Sequence, residues 1–266
     1  MQKIEGVIKD FKINDTQMQQ LLDKHDSFYK DTLAEISTID NFSIKHILES
    51  IMTNLQKYFY TENKPKVWIE KTTSTELYAL DLKEIFPNAK FIHLIRDPRD
   101  NWASLKSGWE DKYNKYNDDL NRLMQSLIER GKLGLEFAKS NHEILGDNCY
   151  KIVKYEDLTT NPEKVMSELS EFVGIEFSDN LLYPTRLGVS WAGNNFDGAK
   201  FKKASSENVN RWKERISIEE VNLIEFHFEN IMNYFNYSLV SSTRERVHAA
   251  KEHYKWFNFS TPFSAK

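Results

Sequence analysis

The stretch Ile95-Arg96-Asp97-Pro98-Arg99-Asp100-Asn101-Trp102-Ala103-Ser104 holds the residues most able to do chemistry in this sequence. It continues from Lys90 to Ile95 (KFIHLI), a near-continuous apolar run of strand length, which Asp97-Pro98 breaks. An arginine therefore stands at the carboxyl end of a strand and a serine inside the start of the next helix. In open α/β sheets, ligands lie outside the carboxyl ends of the strands. A helix start there offers free amides and a favourable dipole to an anion. Arg96 adds a bidentate guanidinium and Ser104 a hydroxyl, a set suited to one phosphate group. The competing reading is that Arg96, Asp97, Arg99 and Asp100 form ordinary loop salt bridges. Pattern alone does not separate the two.

The elements that must position these residues follow from periodicity. From about residue 15 to 60 the pattern is helical: Met18, Leu21, Leu22 and Phe28, then Ile44, Ile47, Leu48, Ile51 and Leu55, recur at spacings of three and four. Ser43 is placed to cap the second helix, and Lys64-Pro65 ends it. Lys66 to Glu70 (KVWIE) reads as a strand, and Thr75 to Phe86 as a helix stopped before Pro87. Lys90 to Ile95 reads as a strand covered on both faces, with a helix starting across Arg99 to Lys106. Leu120 to Phe137 is an amphipathic helix, Tyr150 to Tyr155 (YKIVKY) a strand, and Pro162 to Val173 and Ile218 to Tyr234 helices. Strands alternating with helices predict an α/β fold, a doubly wound, mostly parallel sheet flanked by helices. Ser241 to Lys266 holds a basic and aromatic helix and a polar tail. Its plainer reading is a C-terminal helix docked on the domain; contact with a partner or a membrane surface is the alternative.

Composition narrows the function classes. Among 266 residues there are only nine glycines, and after Gly6 the next is Gly108. The first hundred residues thus hold neither a Walker-type loop nor a dinucleotide fingerprint. The balance of 36 Lys+Arg against 40 Asp+Glu gives a net charge of −4, which argues against a dedicated nucleic-acid binder but leaves room for one anion pocket. The single Cys149 excludes an internal disulfide, and no Cys/His cluster has zinc spacing, so no metal is expected. Cys149 and His93 read as core residues, and Asp118-Asp119 as helix surface rather than a metal site. The charged N-terminus does not read as a signal peptide, and no apolar run is long enough to span a membrane. A cytoplasmic location is expected.

Trp68-Ile69-Glu70-Lys71-Thr72, Phe86-Pro87-Asn88-Ala89-Lys90-Phe91-Ile92, the Arg96 to Ser104 stretch, Tyr155-Glu156-Asp157-Leu158 followed by Asn161-Pro162, Asn194-Asn195-Phe196 and Asn210-Arg211-Trp212 occur in order. Together they resemble the sulfotransferase family, which uses 3′-phosphoadenosine 5′-phosphosulfate (PAPS) as sulfuryl donor, and most nearly its protein-tyrosine and bacterial branches. The likeness runs from roughly residue 60 to 235. It implies the P-loop-NTPase-like sulfotransferase fold over 1–240, with 241–266 as a C-terminal helical extension. It implies that Arg96 and Ser104 bind the donor's 3′-phosphate, that Tyr155 contacts the nucleotide and that Arg211 lies near its phosphates. It implies that Lys71 stabilises charge on the transferring group, a task suited to a cation because negative charge collects on the bridging oxygen. The implied acceptor is a hydroxyl or amine of a small molecule, carbohydrate or peptide, without nucleic acid and without a metal.

Two departures bear on that expectation. The family opens with a strand and a glycine-containing loop, of the kind P-K-S-G-T-T, that holds the 5′-phosphosulfate. Residues 1–60 contain no such loop and resemble the helical region that follows it, so the first strand and loop are expected to be missing by truncation rather than degeneration. Secondly, the histidine that one branch places two residues after the strand lysine is here Thr73. Glu35 is the candidate general base, with Glu70 also available. The alternative to an enzyme is a non-catalytic nucleotide-binding or interaction module that keeps only the 3′-phosphate pocket. Nothing in the sequence indicates an oligomeric state.

Overall fold

In a computed structural model of the chain, the described residues are 15–40, 43–59, 67–112, 120–186, 189–190 and 203–258. Lys64-Pro65, Asp118-Asp119, Asn194-Asn195-Phe196 and the tail beyond Asn258 lie outside them. The chain divides into two compact units, residues 1–72 with 81–88, and residues 73–80 with 89–266.

The first unit contains α1 (Asp15–Ser37) and α2 (Ile44–Phe59). Asp31 accepts from Lys57 Nζ and Tyr58 OH, both at 2.5 Å, and Glu35 Oε2 accepts from Asn54 Nδ2 at 2.8 Å. Partners that descend along α2 as they rise along α1 make the pair antiparallel. Ser43 stands just before α2, where its N–H donates to His46 Nδ1 at 3.2 Å and its carbonyl accepts the Ile47 N–H. Both arms of the periodic 15–60 pattern are therefore helical, as the spacing predicts.

The second unit carries the sheet. β1 (Phe91–Ile95) pairs in parallel with β2 (Tyr150–Lys154), in a register running from Phe91↔Tyr150 to Ile95↔Lys154. The crossover comprises α4 (Pro98–Lys112), α5 (Leu120–Ser126), a π-helical turn (Leu127–Gly131) and α6 (Lys132–Leu145). In the chain β1 is preceded by a 3₁₀ turn, Thr75–Tyr78, and the short α3 (Ala79–Ile85), whose residues from Asp81 onward belong to the first unit. After β2 come α7 (Tyr155–Thr160), α8 (Pro162–Val173), a small antiparallel pair β3 (Thr185–Arg186) and β4 (Val189–Ser190), α9 (Trp212–Arg215), α10 (Ile218–Tyr234) and α11 (Thr243–Asn258). The architecture is α/β, mostly helical, with a parallel sheet flanked by helices. No helix among the described residues is long and apolar enough to cross a membrane.

The core joins the crossover to α10: Trp102, Met124, Leu135, Ile224, Phe228 and Met232 are all buried. The helix bounds of α8 and α10 follow local chemistry. Pro162 opens α8, and Gly174, at φ +83°, closes it. Ser217 and Glu220 form a reciprocal capping box at the start of α10. Basic α11 docks on α10, with Ala250 buried and the Arg246 guanidinium donating to Glu229 at 2.7 Å.

Three expectations are corrected. The described part of the KVWIE segment, 67–70, is not a strand, and all four residues are exposed. Its β-branched and aromatic content suits a half-buried ladder, and no strand among the described residues pairs with it. β1 is not covered on both faces: Ile92 and Leu94 are 44% and 51% exposed while Ile95 is 2% exposed. β2 is the covered strand, since Tyr150 and Val153 point to opposite faces and are both buried. The 120–137 helix runs on to Leu145, where Gly146 at φ +71° ends it, and a π turn interrupts it.

Candidate functional site

The Arg96–Ser104 stretch leaves β1 and starts α4, and its residues divide into two groups. Asp97 is the helix cap, its Oδ1 accepting the Arg99 N–H at 2.8 Å, with Pro98 in the first helical position. The Asp97 N–H donates to Glu156 Oε1 at 2.9 Å, and Glu156 Oε2 accepts from Tyr237 OH at 3.0 Å. Buried Arg99 donates to Asp97 Oδ2 at 2.6 Å, to Glu225 Oε1 at 2.7 Å and to the Ser238 carbonyl at 3.0 Å. Its guanidinium carbon lies 4.3 Å from the Trp212 ring centroid. Asp97 and Arg99 thus follow the salt-bridge reading. Asp97, rather than an external anion, takes the helix-start amide of Arg99.

Arg96 points elsewhere. Its Nη2 donates to the Asn208 carbonyl at 2.7 Å, and its guanidinium carbon stacks 4.5 Å from the Tyr155 ring centroid. Its Nε is buried and has no hydrogen-bond partner among the described residues. Tyr155 can meet it because α7 begins as β2 ends, and β2 pairs with β1 in register. The side chain of Asn208 accepts from Arg211 Nη1 at 2.6 Å, so one asparagine joins both guanidinium groups. Arg211 precedes α9, whose start is tied to α4: Asp100 accepts the Asn210 N–H at 2.8 Å and the Trp212 N–H at 3.0 Å. Ser104 is half-buried on α4. It lies on the helix face that runs from Asp100 to Ser107, and Ser107 Oγ accepts from Arg215 at 3.1 Å. The structure therefore gathers Arg96, Tyr155 and Arg211 around Asn208 and sets Ser104 along the same helix face as Asp100.

The remaining sequence-derived candidates belong to the first unit. Lys71 is exposed. Glu35 is exposed as well, and its carboxylate is engaged with Asn54 across the α1–α2 pair. Glu70 accepts from the Thr72 hydroxyl.

Electrostatics follow burial. Burial pushes the Asp100 carboxyl above its ordinary value, while the Trp212 and Asn210 amides and the Arg96 charge pull it down. Burial lowers His93, with Glu76 acting in the opposite direction, and its Nδ1 meets Tyr150 OH at 2.6 Å, so this histidine is half-buried and has its hydrogen-bond partner within the fold. Burial raises the Tyr237 phenol, and its partner Glu156 adds to the effect.

Sequence reasoning missed Asn208 and Glu225, and gave Glu156, named only within a motif, no role of its own. Asn208 lies in an unpatterned polar stretch, but a lone carboxylate inside the apolar run Val221-Asn222-Leu223-Ile224-Glu225 marks a buried pair that the pattern itself could have revealed.

Comparison with known proteins identifies the family. The model of the sulfotransferase family matches residues 5–179. Protein-tyrosine sulfotransferase A of Caenorhabditis elegans is 34% identical over 110 residues, 41% of this chain and 28% of that protein. Carbohydrate sulfotransferase 1 of Mus musculus is 26% identical over 183 residues, 59% of this chain and 41% of that protein. The chain thus spans less than half the length of these relatives. Among solved structures, the sulfotransferase domain from the curacin biosynthetic pathway superposes with a TM-score of 0.53 over 78% of each chain, at 16% identity, a likeness of fold. The chain belongs to the sulfotransferase family.

Proposed function

We propose that this member of the sulfotransferase family uses PAPS as its donor and acts on a hydroxyl or amine of a small-molecule, carbohydrate or peptide acceptor. The observation that carries the donor reading is Arg96, whose buried Nε is unpaired among the described residues while its Nη2 and its ring contact are already fixed. A buried donor of this kind calls for an acceptor. A guanidinium stacked on Tyr155, with Arg211 brought in through Asn208, suits a phosphate dianion.

In this reading Arg96 and Ser104 hold the 3′-phosphate, Tyr155 supports the nucleotide, and Arg211 adds a second positive charge close by. The donor, when bound, supplies the sulfuryl group. Lys71 is assigned to countering negative charge on the bridging oxygen, and Glu35 to taking the proton of the acceptor; both assignments come from the family pattern. Positioning and electrostatics are the means available to such residues, as in phosphoryl transfer.

A second reading is favoured by one feature of the sequence. With no glycine between Gly6 and Gly108, the chain has no family-type loop there for the 5′-phosphosulfate. A nucleotide-binding module without catalysis fits that fact. Calorimetric titration with adenosine 3′,5′-bisphosphate tests the pocket: binding by the wild type and its loss in Arg96→Ala are expected. Absence of heat, or binding that Arg96→Ala leaves intact, refutes it. Transfer of labelled sulfate that Lys71→Ala abolishes supports the enzyme, and tight binding without transfer supports the module.

A further inference from the structure

We propose that Asp100 is a positioning residue for the 3′-phosphate pocket, acting through the backbone of the Asn208–Trp212 segment; the proposal rests on the reading of that pocket given above. Asp100 is 1% exposed, and its two carboxylate oxygens are committed to different amides, Oδ2 to Asn210 and Oδ1 to Trp212. These amides flank Arg211 on either side, so one buried carboxylate grips the backbone both before and after the arginine. Between them, Asn210 adopts a left-handed conformation at φ +62°, a turn geometry that asparagine accepts more readily than other non-glycine residues. The Lys213 N–H closes the turn on the Asn210 carbonyl at 3.2 Å.

From this clamp the connection runs to the pocket through Asn208. Its carbonyl takes Arg96 Nη2, and its side-chain oxygen takes Arg211 Nη1. The orientation of both guanidinium groups therefore depends on where the segment lies, and Asp100 determines where it lies. An isolated buried carboxylate is costly, and amide hydrogen bonds to it offset that cost only while the segment stays docked. Asp100 lies one helical turn before Ser104, so the clamp also registers the segment against the hydroxyl of the same pocket.

The test is a pair of calorimetric titrations of the full chain, with adenosine 3′,5′-bisphosphate and with adenosine 5′-monophosphate, which lacks the 3′-phosphate. Asp100→Asn keeps the shape but presents an amino group to one of the two amides. Its affinity for the bisphosphate should fall about tenfold, the loss of one hydrogen bond to a charged group, while that for the monophosphate stays unchanged. Because Asp100 is buried, Asn208→Ala provides a second variant. It removes the oxygen facing Arg211, retains the carbonyl facing Arg96, and should weaken the bisphosphate alone by about fivefold at unchanged Tm. A wild type with no preference for the bisphosphate overturns the pocket itself. A wild-type preference that both variants keep intact overturns the role of Asp100 and leaves the pocket standing. Equal weakening of both nucleotides by Asp100→Asn, with Asn208→Ala unaffected, assigns Asp100 to folding alone and also overturns it.

Discussion

Glu225→Gln tests the network that holds the site in place. Glu225 is fully buried in α10 and accepts from Arg99 Nη1 at 2.7 Å, from the Val240 N–H at 3.0 Å, and from the Ser241 N–H at 2.9 Å and its hydroxyl. Glutamine keeps the volume, removes the charge and turns an amino group toward groups that are all donors. Breaking a buried ion pair from one side costs about 3–5 kcal/mol. Asp97 still faces Arg99, and half-exposed Val240 can recruit water, so the lower end, about 3 kcal/mol, is expected. At about 2–4 °C per kcal/mol for a chain of this size, Tm should fall by about 6–12 °C. Scanning calorimetry reads the shift, and a double-mutant cycle with Arg99→Met isolates the pair from the amide contacts. A Glu225→Gln protein within about 1 kcal/mol of the wild type would show that the buried network carries no such weight and would refute the reasoning.

Further outcomes follow from the same contacts. Tyr155→Phe keeps the face that stacks on Arg96, so bisphosphate affinity should stay within about twofold, whereas Tyr155→Ala should lose about tenfold in the same titration. His227, held down to about 4 by burial and by the His253 and Lys132 charges, stays neutral in the fold, whereas the unfolded chain takes up a proton near 6.5. Its contribution to stability is therefore complete above 6.5 and is lost as pH falls toward about 4. Tm measured across that window should fall less steeply in His227→Phe, and an unchanged slope would exclude this histidine. Gly174→Ala, at φ +83°, should cost about 1 kcal/mol by denaturant titration, because alanine is strained in that conformation. Phe228→Ala should cost about 3–5 kcal/mol, since its ring is 1% exposed in the main core.

Much of the fold was legible because its signals are local. Pro162 to Val173 and Ile218 to Tyr234 carry their own start and stop chemistry, and the structure reproduces both spans. KVWIE misled because a strand needs a partner as well as a propensity, and composition cannot supply the partner. The exposed side of β1 escaped for a related reason: an apolar run records the residues, while coverage depends on what packs over them. At the site, Arg96 was readable from its position after a strand. Asp97, Arg99 and Asp100 looked equivalent to it, since all are charged residues within one turn.

What the sequence determined by itself, then, is the place of the two paired parallel strands and of most helices, the family, and an arginine at a strand end followed by a serine-bearing helix. The tertiary structure alone decided which partner within the fold each charge meets. Arg96 finds the Asn208 carbonyl across 112 positions, and Arg99 finds Glu225 across 126. Periodicity and capping act over a few residues, whereas desolvation and hydrogen-bond geometry depend on elements that only folding brings together. Identical side chains three residues apart were thus given opposite tasks, Arg99 sealed into the core by two carboxylates and Arg96 left with a buried nitrogen to donate.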